Sequence, residues 1–160
     1  MVGSVVDVTL VEASPAYLEV GRREIEARYG SAAQCLLGDF VQIAEDVPAA
    51  DVVTLDRVVC CYPDFEAMLS AAAARARRLL GLTYPRNRWY VRAFFALGNF
   101  LFQVRGSRFR AFVHPPERMQ AVLEAAGLVR TGSFGTFLWE GEVYCRRGGA
   151  ESGTIQNKPL

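Results

Sequence analysis

Histidine and lysine are almost missing from this chain: His114 is the only histidine and Lys158 the only lysine. The four cysteines, Cys35, Cys60, Cys61 and Cys145, include no C-x-x-C pair. With a single histidine beside them, neither a zinc centre nor a disulfide framework is suggested. Reduced thiols, as in a cytoplasmic protein, are expected. Charge of one sign is also lacking. A formal net charge of +1 provides no field to draw the chain to nucleic acid or to an anionic membrane, so no nucleic-acid partner is expected. The basic residues are nearly all arginine and, with the abundant alanine, read as a coding bias rather than a phosphate-binding surface. A long apolar run is absent too. The longest, Trp89 to Val104, contains Arg92, Asn99 and Gln103 and falls short of the roughly 20 residues a spanning helix needs. The first residues carry no basic leader, and Asp7 breaks their apolar run, so a secretory signal is not expected. What is present suits a soluble domain. A chain of 160 residues can bury one sizeable core, and 51% hydrophobic with 22% charged residues excludes global disorder.

Along the chain, strand and helix signals alternate. Val5 to Val11 is short and β-branched, reads as a buried strand, and stops at Glu12. Ala13-Ser14-Pro15 makes a turn, with Ser14 capping and Pro15 opening a helix to about Arg28. Tyr17, Val20 and Ile25 are expected on one face of that helix. A second strand is predicted at Ala33 to Leu37, then a short helical segment at Val41 to Glu45. The strongest strand signal is Asp51 to Val59. Asp64 caps a predicted helix to about Arg78, and Leu79 to Tyr84 reads as another buried strand. The aromatic run Trp89 to Val104 reads as a helix, Phe109 to Val113 as an extended segment, and Pro115-Pro116 opens a helix to Ala126 that Gly127 ends. Leu128 to Phe134 and Thr136 to Cys145 read as an antiparallel hairpin. The expected fold class is α/β: a mostly parallel Rossmann-like sheet with helices on both faces, to which the hairpin adds one antiparallel strand. Residues 1–147 are expected to form the domain and 148–160 a flexible tail.

Ligands of open α/β sheets bind at the carboxyl ends of the strands, where several polar residues fall. Glu12, with Ala13 beside it, closes the first strand and could accept from both ribose hydroxyls of an adenosine, or merely cap the next helix. Asp39 could accept from an adenine amino group while Phe40 packs on the ring; the plain alternative is an ordinary turn. Asp56 and Arg57 interrupt an apolar strand, where buried charge is costly unless paired or facing a cavity. With Tyr62, Pro63 and Asp64 they would line a site floor, or they form a structural ion pair.

The segments VTLVEASPAYLEVGRREIEARYG, GDF, DVVTLDRVVCCYPD, LLGLTYPR and HPPERMQAVLEAAGL, followed by the hairpin, resemble class I S-adenosylmethionine (SAM)-dependent methyltransferases. The pattern most resembles the magnesium-protoporphyrin methyltransferase-like branch and covers about residues 5 to 146. The resemblance implies SAM as cofactor, Glu12 as the ribose-binding acid, Asp39 as the adenine contact, and Asp56 to Tyr62 as the border between methyl donor and acceptor.

The chain departs from the family at its front. The family's first strand and its acidic-x-Gly-x-Gly-x-Gly loop come about 20 residues before the acid that Glu12 resembles. Here eleven residues precede Glu12, with Gly3 the only glycine among them. That strand is central in the family's sheet. A truncated chain would expose two sheet edges open to a partner chain or to self-association, unless the start is misassigned. As it stands, the chain is expected to bind SAM poorly or not at all.

Methyl transfer from a sulfonium mostly requires positioning, with a base only for a weak nucleophile. His114, Tyr62 and Tyr84 are the candidate bases or positioners. Cys60 and Cys61 are nucleophiles only in principle, since no base lies near them in sequence. The aromatic residues around the Trp89 to Val104 helix suit a core helix, a lid over an apolar acceptor, or peripheral contact with a membrane surface. Arg86, Arg88, Arg105, Arg108 and Arg110 flank it and could hold the acceptor's carboxylates or lie on anionic lipid. Two rivals stay open: a nicotinamide-dependent oxidoreductase, and an inactive methyltransferase remnant acting as an interaction protein.

Overall fold

The computed structural model describes residues 7–29, 33–107 and 109–148; the predicted tail beyond Gly148, the first residues of the Val5 to Val11 strand and Arg108 lie outside them. The chain divides into two units, 1–49 and 50–160.

In the first unit, β1 (Thr9–Glu12) pairs in parallel with β2 (Gln34–Leu37), in a register that sets Glu12 beside Leu37. Between them runs α1 (Pro15–Tyr29), whose first turn closes when Leu18 N–H donates to the Ser14 carbonyl at 2.9 Å. Pro15 at its first position loses nothing, because that amide would have no helical partner. The face of α1 differs from expectation. Tyr17 and Val20 are exposed, while Leu18, Gly21 and Ile25 are half-buried. That spacing of three and four residues follows the helical period, and it rotates Tyr17 and Val20 off the covered stripe. After β2, α2 (Phe40–Ile43) and a 3-10 turn (Ala44–Asp46) complete the unit.

The second unit is a four-stranded sheet in the order β3-β4-β6-β5, formed by β3 (Ala50–Asp56), β4 (Ala76–Pro85), β5 (Leu128–Gly135) and β6 (Trp139–Arg146). The pairing of β3 with β4 is parallel; β6 runs antiparallel to both its neighbours. As expected from the hairpin, a single strand is reversed, and it lies between β4 and β5. Two predicted boundaries move. The strand expected to reach Val59 stops at Asp56, because Arg57 takes the left-handed conformation (φ 55°) and Val59–Cys61 coils into a 3-10 turn. The helix expected to reach Arg78 is α3 (Phe65–Arg75), and β4 begins at the next residue. Asp64 caps α3 as predicted, accepting from Ala67 N–H at 3.0 Å.

The abrupt change from α3 to β4 has a partner across the sheet. The Arg146 guanidinium donates to the carbonyls of Ala73, Ala76 and Ala126, which serves the ends of α3 and of α5 (Pro116–Ala125) together. A cation fits there, because helix ends carry unpaired carbonyls and partial negative charge. Gly127 follows α5 with φ 83°, a conformation that favours glycine. Helices α3 and α5 pack on each other and on the sheet. Leu69, Ala72, Leu80, Met119, Leu123 and Leu128 form a core with no exposed surface. Trp89–Val104 is helical as predicted and is named α4. It is not a core helix: Val91 alone is fully buried, and Trp89, Phe94, Leu97 and Phe100 are each more than half exposed. Among the described residues no helix is long and apolar enough to cross a membrane.

Candidate active site

In the first unit, the parallel pairing brings two of the predicted residues to the same end of the sheet. Glu12 ends β1 and Asp39 follows β2, with Gly38 N–H donating to the Glu12 carbonyl at 3.0 Å. Both side chains have local partners. Glu12 Oε1 accepts from Ser14 N–H at 2.8 Å, so one carboxylate oxygen steadies the turn into α1. Asp39 caps α2 by accepting from Val41 N–H at 3.0 Å and takes a second contact from Gln42 Nε2 at 3.3 Å. Ala13 is exposed and Phe40 half-buried.

In the second unit, Asp56 and Arg57 sit at the carboxyl end of β3. Contrary to the expectation of buried charge, their side chains are 71% and 64% exposed, with Arg57 Nε 3.9 Å from the Asp56 carboxylate. They end the strand rather than interrupt it. The backbone of Arg57 is pinned on both sides. Its N–H donates to Thr83 Oγ1 at 2.9 Å, while the Thr83 hydroxyl donates to Asp56. Its carbonyl accepts from the thiols of Cys60 at 3.2 Å and Cys61 at 3.6 Å. These contacts hold a left-handed residue that carries a side chain, a strained arrangement characteristic of functional positions. The paired cysteines are thus explained as capping groups. Burial first, then the adjacent Cys61 thiol, push the Cys60 thiol up to about 12, which keeps it protonated and poorly nucleophilic at neutral pH.

Beyond Arg57 opens a cavity of about 550 Å³, lined almost wholly by apolar groups. Phe94, Phe95 and Phe102 of α4, Trp139 at the start of β6 and Cys60 are among its lining residues, and Phe95 meets Trp139 edge to face at 6.5 Å between ring centres. The antiparallel register Pro85↔Trp139 and the parallel register Asp56↔Thr83 bring β6's first residue and β3's last to the same end of β4. That is the end at which α/β sheets bind ligands. Helix α4 is fastened at both ends. Tyr90 stacks on Phe137 at 4.8 Å between ring centres and donates to its carbonyl at 3.1 Å. Asn99 makes a two-way clamp on Ala111, donating to its carbonyl at 2.8 Å and accepting from its N–H at 2.9 Å. The segment thus held returns to the strand end, where Phe112 N–H donates to the Cys60 carbonyl at 2.7 Å.

The three predicted bases lie elsewhere. None is among the described residues that line the cavity. His114 Nε2 is 3.1 Å from the carbonyls of both Val59 and Tyr62. Two acceptors fix the proton on that nitrogen. The ring lies against Phe65 and Phe112 at 4.6 and 5.6 Å, and burial pushes His114 below its ordinary 6.5. Tyr62 is half-buried and holds His114 through its carbonyl. Tyr84 is buried in a group that sequence reading missed, around Glu142. That carboxylate, 3% exposed, accepts from Tyr144 Oη at 2.8 Å and Arg130 Nη1 at 2.7 Å. Burial, then the Glu142 and Glu140 charges, push the Tyr84 phenol up. Of the flanking arginines, Arg86 pairs with Glu140 at 3.0 Å and Arg110 contacts Gln103 at 3.3 Å. Among the described residues no cluster of three metal-ligating side chains occurs.

No family of known proteins and no curated protein matches the sequence. Solved structures do match the fold. The magnesium protoporphyrin IX methyltransferase of Synechocystis PCC 6803, with bound S-adenosylhomocysteine (SAH), aligns with a TM-score of 0.68 at 20% identity, over 88% of this chain and 64% of that one. An O-methyltransferase family protein from Burkholderia thailandensis gives 0.71 at 18% identity, over 91% of this chain and 45% of that one. An O-methyltransferase family 2 protein from Planctomyces limnophilus, in complex with apigenin, gives 0.65 at 13% identity, over 88% and 42%. The chain therefore spans less than two thirds of the length of each of these proteins. Its fold is that of the class I SAM-dependent methyltransferases.

Proposed function

We propose that this chain serves SAM-dependent methyl transfer to a small apolar or aromatic acceptor. The observation that carries this reading is the apolar cavity of about 550 Å³ at the carboxyl ends of β3 and β4, found on a fold that the methyltransferases share. Its volume is in the range of small-molecule sites. On this reading Glu12 and Ala13 meet the ribose of the cofactor, and Asp39 and Phe40 its adenine. Asp56 and Arg57 stand at the carboxyl end of β3, with Arg57 on the lining of the acceptor cavity. The apigenin complex of the Planctomyces protein supports an aromatic acceptor. His114 and Tyr62 act as positioning residues, because together they brace the turn that carries Cys60 and Cys61. Tyr84 stays protonated and braces the sheet.

A second reading has its own support. Among the described residues β1 pairs only with β2, and β3 only with β4. Each therefore presents an edge that another strand could pair with, as an interaction protein would.

Saturation-transfer NMR on the purified chain separates these readings, because it detects weak binding. The adenine protons of SAM should receive saturation, SAH should compete, and Glu12→Gln should abolish the signal. Absence of any SAM signal at millimolar ligand would sink the reading in which this chain itself binds the methyl donor, and would favour the interaction protein. Saturation of a nicotinamide dinucleotide instead would point to an oxidoreductase.

A further inference from the structure

Among the described residues that line it, the cavity has one charged group and no base. Arg57 is the only ionisable side chain, apart from the two thiols, among the described residues that line it. Asn99, the other polar group there, spends both ends of its amide on Ala111. The thiol of Cys60 donates to the Arg57 carbonyl and is pushed up to about 12. A neutral phenol or acid would thus meet no base among the described residues that line the cavity. An acceptor that arrives as an anion needs no base.

The cation is placed for such a ligand. The left-handed backbone of Arg57 turns its side chain away from the course of the strand. The guanidinium carbon lies 5.0 Å from the centre of the Trp139 ring, on the cavity wall. Its partner Asp56 is distant at 3.9 Å, and both side chains are mostly exposed, so that pair is weak and leaves the guanidinium's donors available. The aromatic rings in the lining favour flat ligands through offset and edge contacts.

From this geometry we propose that the cavity takes a planar aromatic anion, a phenolate or an aromatic carboxylate, whose charged oxygen is held by Arg57. The proposal rests on the methyl-transfer reading for the fate of that ligand. The acceptor oxygen forms the new C–O bond while the methyl–sulfur bond breaks, and the pair of that bond stays on sulfur, which leaves neutral. No proton is transferred. Arg57 binds the anion before the step and releases the neutral methyl ether or ester after it.

The test uses two fluorescent probes with the same rings: anilinonaphthalene sulfonate, which is anionic, and N-phenylnaphthylamine, which lacks the sulfonate. The full chain should bind the sulfonate more tightly than the neutral twin. Arg57→Met should weaken the sulfonate about ten-fold, the scale of one charge-assisted hydrogen bond, and leave the neutral probe unchanged. Arg57→Gly should do the same while melting no lower than the parent, since glycine tolerates that φ. Unchanged sulfonate affinity in both variants, or an equal fall for both probes, overturns the proposal. Neither probe is a methyl donor and no SAM is present. A chain that fails to bind SAM but shows the anion preference loses only the methyl-transfer reading, and one that binds SAM without the preference loses only this proposal.

Discussion

The guanidinium of Arg57 rests over the indole of Trp139, 5.0 Å from the ring centre, although 82 positions separate the two residues in the chain. Both adjoin β4 at its carboxyl end, where Asp56 pairs beside Thr83 and Trp139 beside Pro85. The contact follows from reversing one strand: because β6 is antiparallel, its first residue stands where β3 ends. Cation–π attraction then holds the arginine at the rim of an apolar cavity.

The clamp between Asn99 and Ala111 should control how firmly α4 closes that cavity. Asn99→Ala removes both hydrogen bonds and leaves two backbone groups of Ala111 without their partner. A loss of about 2 kcal/mol is expected in urea unfolding, together with faster amide exchange at Ala111. Unchanged protection of that amide would show that the clamp does not hold the helix.

The Glu142 group should set stability at high pH. Glu142→Ala deprives the buried Tyr144 hydroxyl and Arg130 of their acceptor, and should cost about 2 kcal/mol. In the parent, burial first and Glu142 second push both the Tyr84 and Tyr144 phenols up. The folded state therefore binds protons that the unfolded state releases near pH 10. This contribution is complete below about pH 10 and is lost as pH rises further. Alkaline titration by tyrosine absorbance should find two of the six tyrosines ionising only as the protein unfolds. Six tyrosines titrating together in the folded state would contradict it.

At the acid end His114 should act in the opposite sense. Burial lowers its folded value beneath 6.5, so the unfolded state takes up the proton first. The contribution is present above about pH 6.5 and is lost as pH falls through the folded value. His114→Phe keeps an aromatic ring against Phe65 and Phe112 but removes the titration. Between about pH 7 and pH 5 the melting temperature of the parent should fall more steeply than that of the variant. Parallel curves would show that His114 does not contribute to acid sensitivity.

Much of this fold was legible along the chain because its signals are local. Asp64 before an alanine-rich run, Pro115-Pro116 before another helix and Gly127 after it mark ends that hold in the structure. The helix Trp89–Val104 falls where its composition placed it. Glu12 and Asp39 were readable as strand-end residues because a short β-branched run or a Gly-Asp turn marks such an end without tertiary information. The failures have one cause. Strand Ala50–Asp56 stops early because Thr83, Cys60 and Cys61 pin Arg57 in a left-handed turn, and the Thr83 contact comes from 26 positions along the chain. Helix α3 stops early where Arg146 meets its carbonyls from a strand 70 residues away.

The sequence by itself determined the order of strands and helices, the reversed final strand and the residue types at the strand ends, since period, capping and turn chemistry act over a few residues. Tertiary structure alone decided which groups share a site. It set Arg57 and Trp139 on one cavity, turned His114 toward two carbonyls outside it, and buried Tyr84 and Tyr144 around Glu142. These outcomes depend on the register of β3, β4 and β6 and on burial, and neither is written in any short stretch of the chain.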